Sequence, residues 1–276
     1  MTTDLHSALQ SRFQDHTDVP DQLQGAEVLA GMADRGSCRA FADQRVPTEV
    51  LETLCAVALS SPTKSDLQQR DIVLMTSAGP RKELADMVTT QPWVTGAPMI
   101  AVFCGNNRRQ RLNHAWHDVP FANDHLDAFF NASVDAAIAL GAFVTAAESI
   151  GLGCCPISGI RDQAAAVSRL LNLPQHVFPV AGLAVGYPAA PKVISKRLPL
   201  AATVHQDTYH ETDLQQTVNA YDTDRALTQP YAQQRYEERF GTAAGYGWSK
   251  DKVRQYSAPE RADFGAFIRA KGFNLD

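Results

Sequence analysis

The chain has 276 residues, 45% of them apolar, enough to bury a substantial core in one large or two small domains. Its net charge of −5 and isoelectric point near 5.9 argue against nucleic acid or an anionic membrane as the main partner, while a local basic pocket stays open to a small anion. Five cysteines, without the density of a secreted scaffold and without paired C-x-x-C units, argue against structural disulfides and zinc.

Residues 1–20 are polar and carry no apolar run flanked by a cleavage site, which points to a cytoplasmic protein with neither secretion signal nor anchor. Leu23 to Met32 has a short helical pattern that leads into Arg35-Gly36-Ser37-Cys38-Arg39-Ala40-Phe41. An extended segment sends residues i, i+2 and i+4 to one side, so Arg35, Ser37 and Arg39 converge while Phe41 anchors the end in a core. The guanidinium fork and the serine hydroxyl both suit phosphate oxygens, and the heptapeptide reads as an anion cradle.

A clearer helix follows, with Pro47 and Glu49 in its first turn and Val50, Leu54 and Val57 on one face beside Leu51 and Ala58; Ser60-Ser61-Pro62 ends it. Asp71 to Met75 and Met99 to Cys104 are predicted strands. The longest predicted helix, Asn131 to Ile150, repeats Val134, Ile138, Gly141 and Val144 at helical spacing. Asp135 and Glu148 punctuate it, so it is assigned to a core or, preferably, a subunit interface rather than a membrane span.

Gly151 to Gly159 reads as a turn feeding a helix from Asp162 to Leu171, with Cys154 and Cys155 simply buried, and Val177 to Gly186 is the last predicted core strand. Composition divides the chain at 20/21 and 210/211. Residues 211–276 are too poor in aliphatic side chains for a core of their own and are expected to wrap the main body as a helical extension. Helices and strands mix without regular alternation, and no G-x-G-x-x-G follows the first strand, so an α+β fold is predicted rather than a Rossmann domain.

Three segments share one chemistry: Arg35-x-Ser37-x-Arg39, the loop Ser61-Pro62-Thr63-Lys64-Ser65-Asp66-Leu67-Gln68, and Lys196-Arg197 before Leu198-Pro199. In this order the set resembles the FMN-dependent nitroreductase family, whose first segment reads R-x-S-x-R-x-F and whose second reads A-P-S-x-x-N-x-Q. Glu148-Ser-Ile-Gly151-Leu-Gly153, followed by Ile157-Ser158-Gly159-Ile160-Arg161, is similar to the E-S-L-G-L-G and I-G-G-L-R of the NADPH-dependent oxygen-insensitive nitroreductase and flavin reductase branch. The likeness spans roughly residues 28 to 210 and weakens beyond.

The resemblance implies a nitroreductase-like α+β fold, with a central mixed, mainly antiparallel sheet flanked by helices, in an intertwined homodimer. FMN would occupy interfacial pockets completed by both chains. Arg35, Gly36, Ser37 and Arg197 would hold its phosphate, with Lys196 a weaker candidate. Arg39 would sit nearer the flavin pyrimidine, where a cation stabilises the charge of the reduced ring. Ile157, Ser158 and Gly159 would reach the N5 side and Gln91 the flavin edge, while Thr63, Lys64, Ser65, Asp66 and Gln68 would arrive from the second subunit.

Two residues depart from the family pattern. Asp66 stands where the family has asparagine, replacing an amide that donates and accepts by a carboxylate that only accepts. The arginine that holds the NADPH 2′-phosphate in this branch is absent before Trp248, which leaves Arg239 or Arg254 as substitutes and the choice of NADH or NADPH open. The implied reaction is ping-pong hydride transfer from NAD(P)H through flavin N5 to a nitroaromatic, a quinone or free flavin, with no catalytic side chain. Alternatives are an FMN-binding sensor or carrier, a specialised flavin dehydrogenase or dehalogenase, and a metal enzyme built on His114, His117 and His125 with Asp118 and Asp124.

Overall fold

A computed structural model of the protein describes residues 4–13 and 18–276, so part of the polar segment 1–20 lies outside the described residues. In chain order the elements are α1 (Leu5–Arg12), α2 (Ala26–Ala33), α3 (Thr48–Leu59), β1 (Arg70–Met75), α4 (Ala78–Met87), β2 (Met99–Asn106), α5 (Arg108–Trp116) and α6 (Leu126–Ser149). There follow β3 (Gly153–Ile157), α7 (Ala164–Leu170), β4 (Val177–Gly186), α8 (Leu214–Thr228), α9 (Glu237–Phe240), α10 (Trp248–Gln255) and α11 (Phe264–Ala270). Contacts group the chain into two units, one of Met1–Gly36 with Val193–Glu260 and the other of Ser37–Lys192 with Arg261–Asp276.

The larger unit is built on a four-stranded sheet of order β1-β2-β4-β3 in which each neighbouring pair is antiparallel. All of β2 is buried, and its side chains alternate. Met99, Ala101 and Phe103 enter a core with α3 and α6, whereas Ile100, Val102 and Cys104 enter a second core with α4 and α7. Burial on both faces is why this strand reads as a continuous apolar run.

The segment read as a turn from Gly151 to Gly159 is corrected by β3, whose Cys154 pairs with Val185 and Ile157 with Gly182. Two glycines and a proline masked its strand pattern, and sheet pairing overrides them. Among the described residues no disulfide is present, and Cys38, Cys104, Cys154 and Cys155 are buried.

Helix α6 starts five residues before the sequence reading and is 24 residues long. By length and composition alone it is apolar enough to cross a membrane. Its alanines Ala132, Ala136, Ala139 and Ala147 are buried, and Phe143 packs edge-to-face on Phe103 with ring centres 5.8 Å apart. Its outer face keeps Leu126, Phe130, Val134 and Ile138 exposed at intervals of four.

The smaller unit uses polar networks where aliphatic residues are scarce. Half-buried Asp222 accepts the Ser249 N–H at 3.0 Å and the Ser249 hydroxyl, which caps the start of α10. Asp251 is buried and accepts from Lys252 at 2.8 Å, Tyr246 at 3.0 Å and Arg235 at 3.1 Å. Burial pushes its carboxyl up, but those three hydrogen bonds outweigh it and hold the group below its ordinary value.

Candidate active site

The cradle segment from Ser37 to Ala42 is extended. Cys38 N–H donates to Cys154 O at 2.9 Å, Ala189 N–H to Ala40 O at 2.9 Å and Ala42 N–H to Tyr187 O at 2.8 Å. This pairing fixes the side-chain alternation. Cys38 is buried against Gly153, where an added Cβ would lie 2.6 Å from its Sγ, and Arg39 points to the exposed side. Burial pushes the Cys38 thiol up, as it does the Cys104 thiol, which reaches about 12, so neither is a thiolate nucleophile at neutral pH.

Arg39 holds its guanidinium 5.9 Å from the centre of the Trp93 ring, and among the described residues no carboxylate accompanies it. Trp93 lies in the 3-10 turn Pro92–Gly96, whose N-cap is Gln91. The Gln91 amide nitrogen stands 3.3 Å from where a Cβ on Gly159 would fall. Arg39, Trp93, Gln91 and Gly159 therefore share one neighbourhood. Ser158 is exposed and Gly159 buried, and the Ile157 side chain is fully buried in the second core.

The loop between α3 and β1 places Lys64, Ser65, Asp66 and Gln68 at the surface. Ser65, Asp66 and Gln68 all take left-handed backbone angles, with φ of 47°, 55° and 52°. Each such non-glycine residue costs about 1–3 kcal/mol unless its surroundings over-determine it. Local bonds help: Thr63 Oγ1 accepts the Gln68 N–H at 3.2 Å, and Asp66 Oδ1 accepts the Gln68 amide at 3.1 Å. Asp66 is thus already engaged within its own loop.

In the smaller unit, buried Arg12 joins the segments that carry Arg35 and Arg197. Its guanidinium donates to Ala33 O at 2.6 Å, to Ser195 O at 2.9 Å and to Arg35 O, and its carbonyl accepts the Arg197 N–H at 2.7 Å. Sequence reading missed Arg12. The available signal was the spacing of Leu5, Ala8 and Arg12 along one face of a helix capped by Asp4.

Lys196 differs from its expected role. Its ammonium pairs with Asp224 of α8, and its carbonyl accepts from the Tyr221 hydroxyl at 3.1 Å, so it is drawn into the helical extension rather than left open to an anion. Arg197 is exposed, and its guanidinium donates to the nearby carbonyls of Ser195 and Lys196. Beside it lies a cavity of about 610 Å³ bordered by Tyr221, Arg225, Tyr231 and Trp248.

The two proposed substitutes for the missing arginine differ in access, since Arg239 is exposed and Arg254 is not. Arg254 is buried and donates to Arg235 O and Gly241 O, while Arg239 donates to Ser257 and lies over Phe240.

The histidine segment is used structurally. His114 Nδ1 faces the carbonyls of Val119 and Pro120, His125 caps α6 at the Asp127 N–H, and Asp124 pairs with Arg111 at 2.5 Å. Among the described residues no group of three His, Cys, Asp or Glu side chains is placed to hold a metal. The metal-enzyme alternative loses its ligand set.

Comparison with known proteins gives the family of the chain. A model of the Nitroreductase family matches residues 32–187, and one of the Nitroreductase family, C-terminal domain, matches residues 195–276. An FMN reductase (NADPH) of Bacillus subtilis is 31% identical over 86% of this chain and 94% of its own length. An FMN reductase [NAD(P)H] of the same organism is 34% identical over 71% of this chain and 80% of its own. The solved structure of B. megaterium NfrA2 superimposes with a TM-score of 0.82 at 31% identity, covering 90% of this chain and 98% of that one. With the cradle segment, the glycine turn and the four-stranded sheet all falling inside the matched region, the chain belongs to the Nitroreductase family.

Proposed function

We propose that the protein is an FMN-dependent oxidoreductase that takes hydride from NAD(P)H and delivers it to an electron-poor acceptor. The observation that carries this reading is the extended Ser37–Ala42 segment, which sets an exposed Arg39 over Trp93 beside Gln91 and Gly159. The names of the related reductases support an enzyme over a carrier.

The residues present fit FMN in their chemistry. Arg39 brings a cation without a neutralising carboxylate among the described residues, and Ser37 adds a neutral donor. Gly159 offers main chain where a side chain would strike Val88 at 2.9 Å. Arg35, Gly36 and Arg197 are, with Ser37, the phosphate-binding residues of this reading. Bound FMN supplies a ring that accepts and releases hydride at N5.

The protein's own residues bind and tune. Arg39 stabilises negative charge on the pyrimidine side, Ser158 and Gly159 offer main-chain donors towards the N5 side, and Gln91 orients the ring edge. Lys64, Ser65, Asp66 and Gln68 complete the pocket of a second copy. Donor and acceptor use one open face in turn, which gives ping-pong kinetics, and nitroaromatics, quinones and free flavin are the acceptors. Cytoplasmic location fits a nicotinamide-driven reaction.

The test is the visible spectrum of the purified protein followed by anaerobic addition of NADH and NADPH in separate cuvettes. Flavin bands bleached by either donor are expected. A colourless protein that also ignores added FMN would refute the reading.

A further inference from the structure

The loop between α3 and β1 is held from beneath by two buried charges of opposite sign. Asp135, in the middle of α6, is only 1% exposed; its Oδ1 accepts the Lys64 N–H at 3.0 Å and its Oδ2 the Gln69 N–H at 2.9 Å. Arg70, the first residue of β1, is 5% exposed and donates to Leu59 O at 2.7 Å, Ser61 O at 2.7 Å and Pro62 O at 2.9 Å. The carboxylate thus takes the N–H groups at both ends of the Lys64–Gln69 stretch, and the guanidinium takes the carbonyls that lead into it.

Helix α5 and its N-cap hold what remains. Arg109 donates to Gln68 O and Gln110 to Leu67 O, both at 2.7 Å, and Asn107 donates to the Gln69 side chain at 2.8 Å. Main-chain bonds hold part of this backbone, from Leu67 N–H to Lys64 O at 2.9 Å and from Asn106 N–H to Gln69 O at 3.0 Å, and these side chains supply the further partners. A conformation with three left-handed non-glycine residues persists only when it is over-determined, and these buried groups supply that determination. The side chains of Lys64, Ser65, Asp66 and Gln68 are meanwhile left at the surface.

We propose that Asp135 and Arg70 are positioning residues for FMN: together they hold the Leu59–Gln69 loop in the one shape that presents its polar side chains to the cofactor. The proposal rests on the flavin reading above. It assigns to the only acidic residue buried within α6 a task that packing does not explain, since an apolar residue there would leave both N–H groups without a partner. The charge of each clamp matters as well as its shape. Asparagine at 135 keeps one acceptor and turns a donor towards the second N–H, and lysine at 70 keeps the charge but loses the fork that spans three carbonyls.

The experiment combines amide hydrogen exchange with FMN titration on the full chain. In the wild-type protein stripped of FMN, the Lys64 and Gln69 amides should exchange within tenfold of the β1 amides, because the clamp and not the flavin sets the loop; exchange a hundredfold faster would overturn the proposal. Asp135→Asn should raise exchange at those two amides at least tenfold with β2 and β4 unchanged, weaken FMN binding at least tenfold, and alter the visible circular dichroism of the bound flavin. Arg70→Lys should do the same from the other side. A wild type that does not bind FMN would sink the flavin reading and this proposal with it. A wild type that binds FMN, beside an Asp135→Asn variant with a loosened loop and unchanged affinity, would sink the proposal alone.

Discussion

Arg12 accepts the main-chain N–H of Arg197 on its own carbonyl oxygen at 2.7 Å, and the same residue donates from its guanidinium to the carbonyls of Ala33, Arg35 and Ser195. One buried residue of the amino-terminal helix thereby fixes the backbone of both arginines that are proposed to meet the phosphate. The relation explains why a polar segment with few apolar side chains is folded at all: its helix ends on a residue whose hydrogen bonds lie in the chain segments that follow.

Arg12→Lys keeps the charge and loses the fork. With two or more charge-assisted hydrogen bonds gone, FMN affinity should fall about tenfold, or about 1.4 kcal/mol, while the larger unit stays folded. Fluorescence titration of FMN against the variant measures this. Affinity equal to the wild type would mean that the Arg35 and Arg197 segments hold their shape without Arg12.

The sequence made the larger unit legible where side chains followed one clear period. The strand at Val177–Gly186 was placed at its observed limits, and α3 and β2 came within two residues, because their apolar runs are uninterrupted and bounded by proline, glycine or serine. β3 was lost because its pattern is short and its neighbours, not its composition, make it a strand. In the site, Arg39, Gln91 and Gly159 were recognised as separate motif residues, and the structure links them through Trp93, which no spacing rule singles out. The ion pair of Lys196 is hidden from the sequence for the same reason. The lysine's charge was visible in the sequence, but the partner that claims it, Asp224, lies in a helix 28 residues away.

Arg39 should set the potential of the bound flavin. Removing a cation beside the reduced ring in Arg39→Ala should lower the two-electron potential by about 30 mV, which corresponds to about 1.4 kcal/mol, and Arg39→Lys should recover most of it. Equilibration of the holoenzyme against redox dyes reads this directly. A potential unchanged in the alanine variant would show that the guanidinium serves Trp93 packing and not the flavin.

His176 should make the carboxyl-terminal segment sensitive to acid. Burial, with Arg111 nearby, pushes its imidazole below the ordinary value, although its hydrogen bond to Gly272 and the charge of Asp124 pull the other way. The folded state therefore favours the neutral ring, so an unfolding chain takes up a proton that the native state refuses. This stability is fully present above about pH 6.5, the unfolded value, and is lost as pH falls through the lower folded value. Thermal unfolding should show a drop between pH 7.5 and 5.5 that is smaller in His176→Asn. Parallel curves for the two proteins would show that His176 is uncoupled from folding.

The exposed stripe of α6 should be where two copies meet. Leu126, Phe130, Val134 and Ile138 follow one another at intervals of four on a helix whose other face is buried, and Phe130 leaves 59% of its surface open. Four apolar side chains in line on one helix face form a contiguous patch of the kind that marks an interface, and the small residues Gly141 and Thr145 continue the same line and permit close helix approach. Phe130→Glu and Val134→Glu each place an unpaired carboxylate there, and burying it should weaken self-association about 100-fold, or about 3 kcal/mol. Light scattering should report a dimer for the wild type and a monomer for both variants at micromolar concentration. FMN content should fall with the dimer, since each proposed pocket takes the Lys64–Gln68 side chains of the other copy. Dimers that persist in both variants would place the interface elsewhere, and a monomer that keeps its FMN would show that one chain alone suffices to bind it.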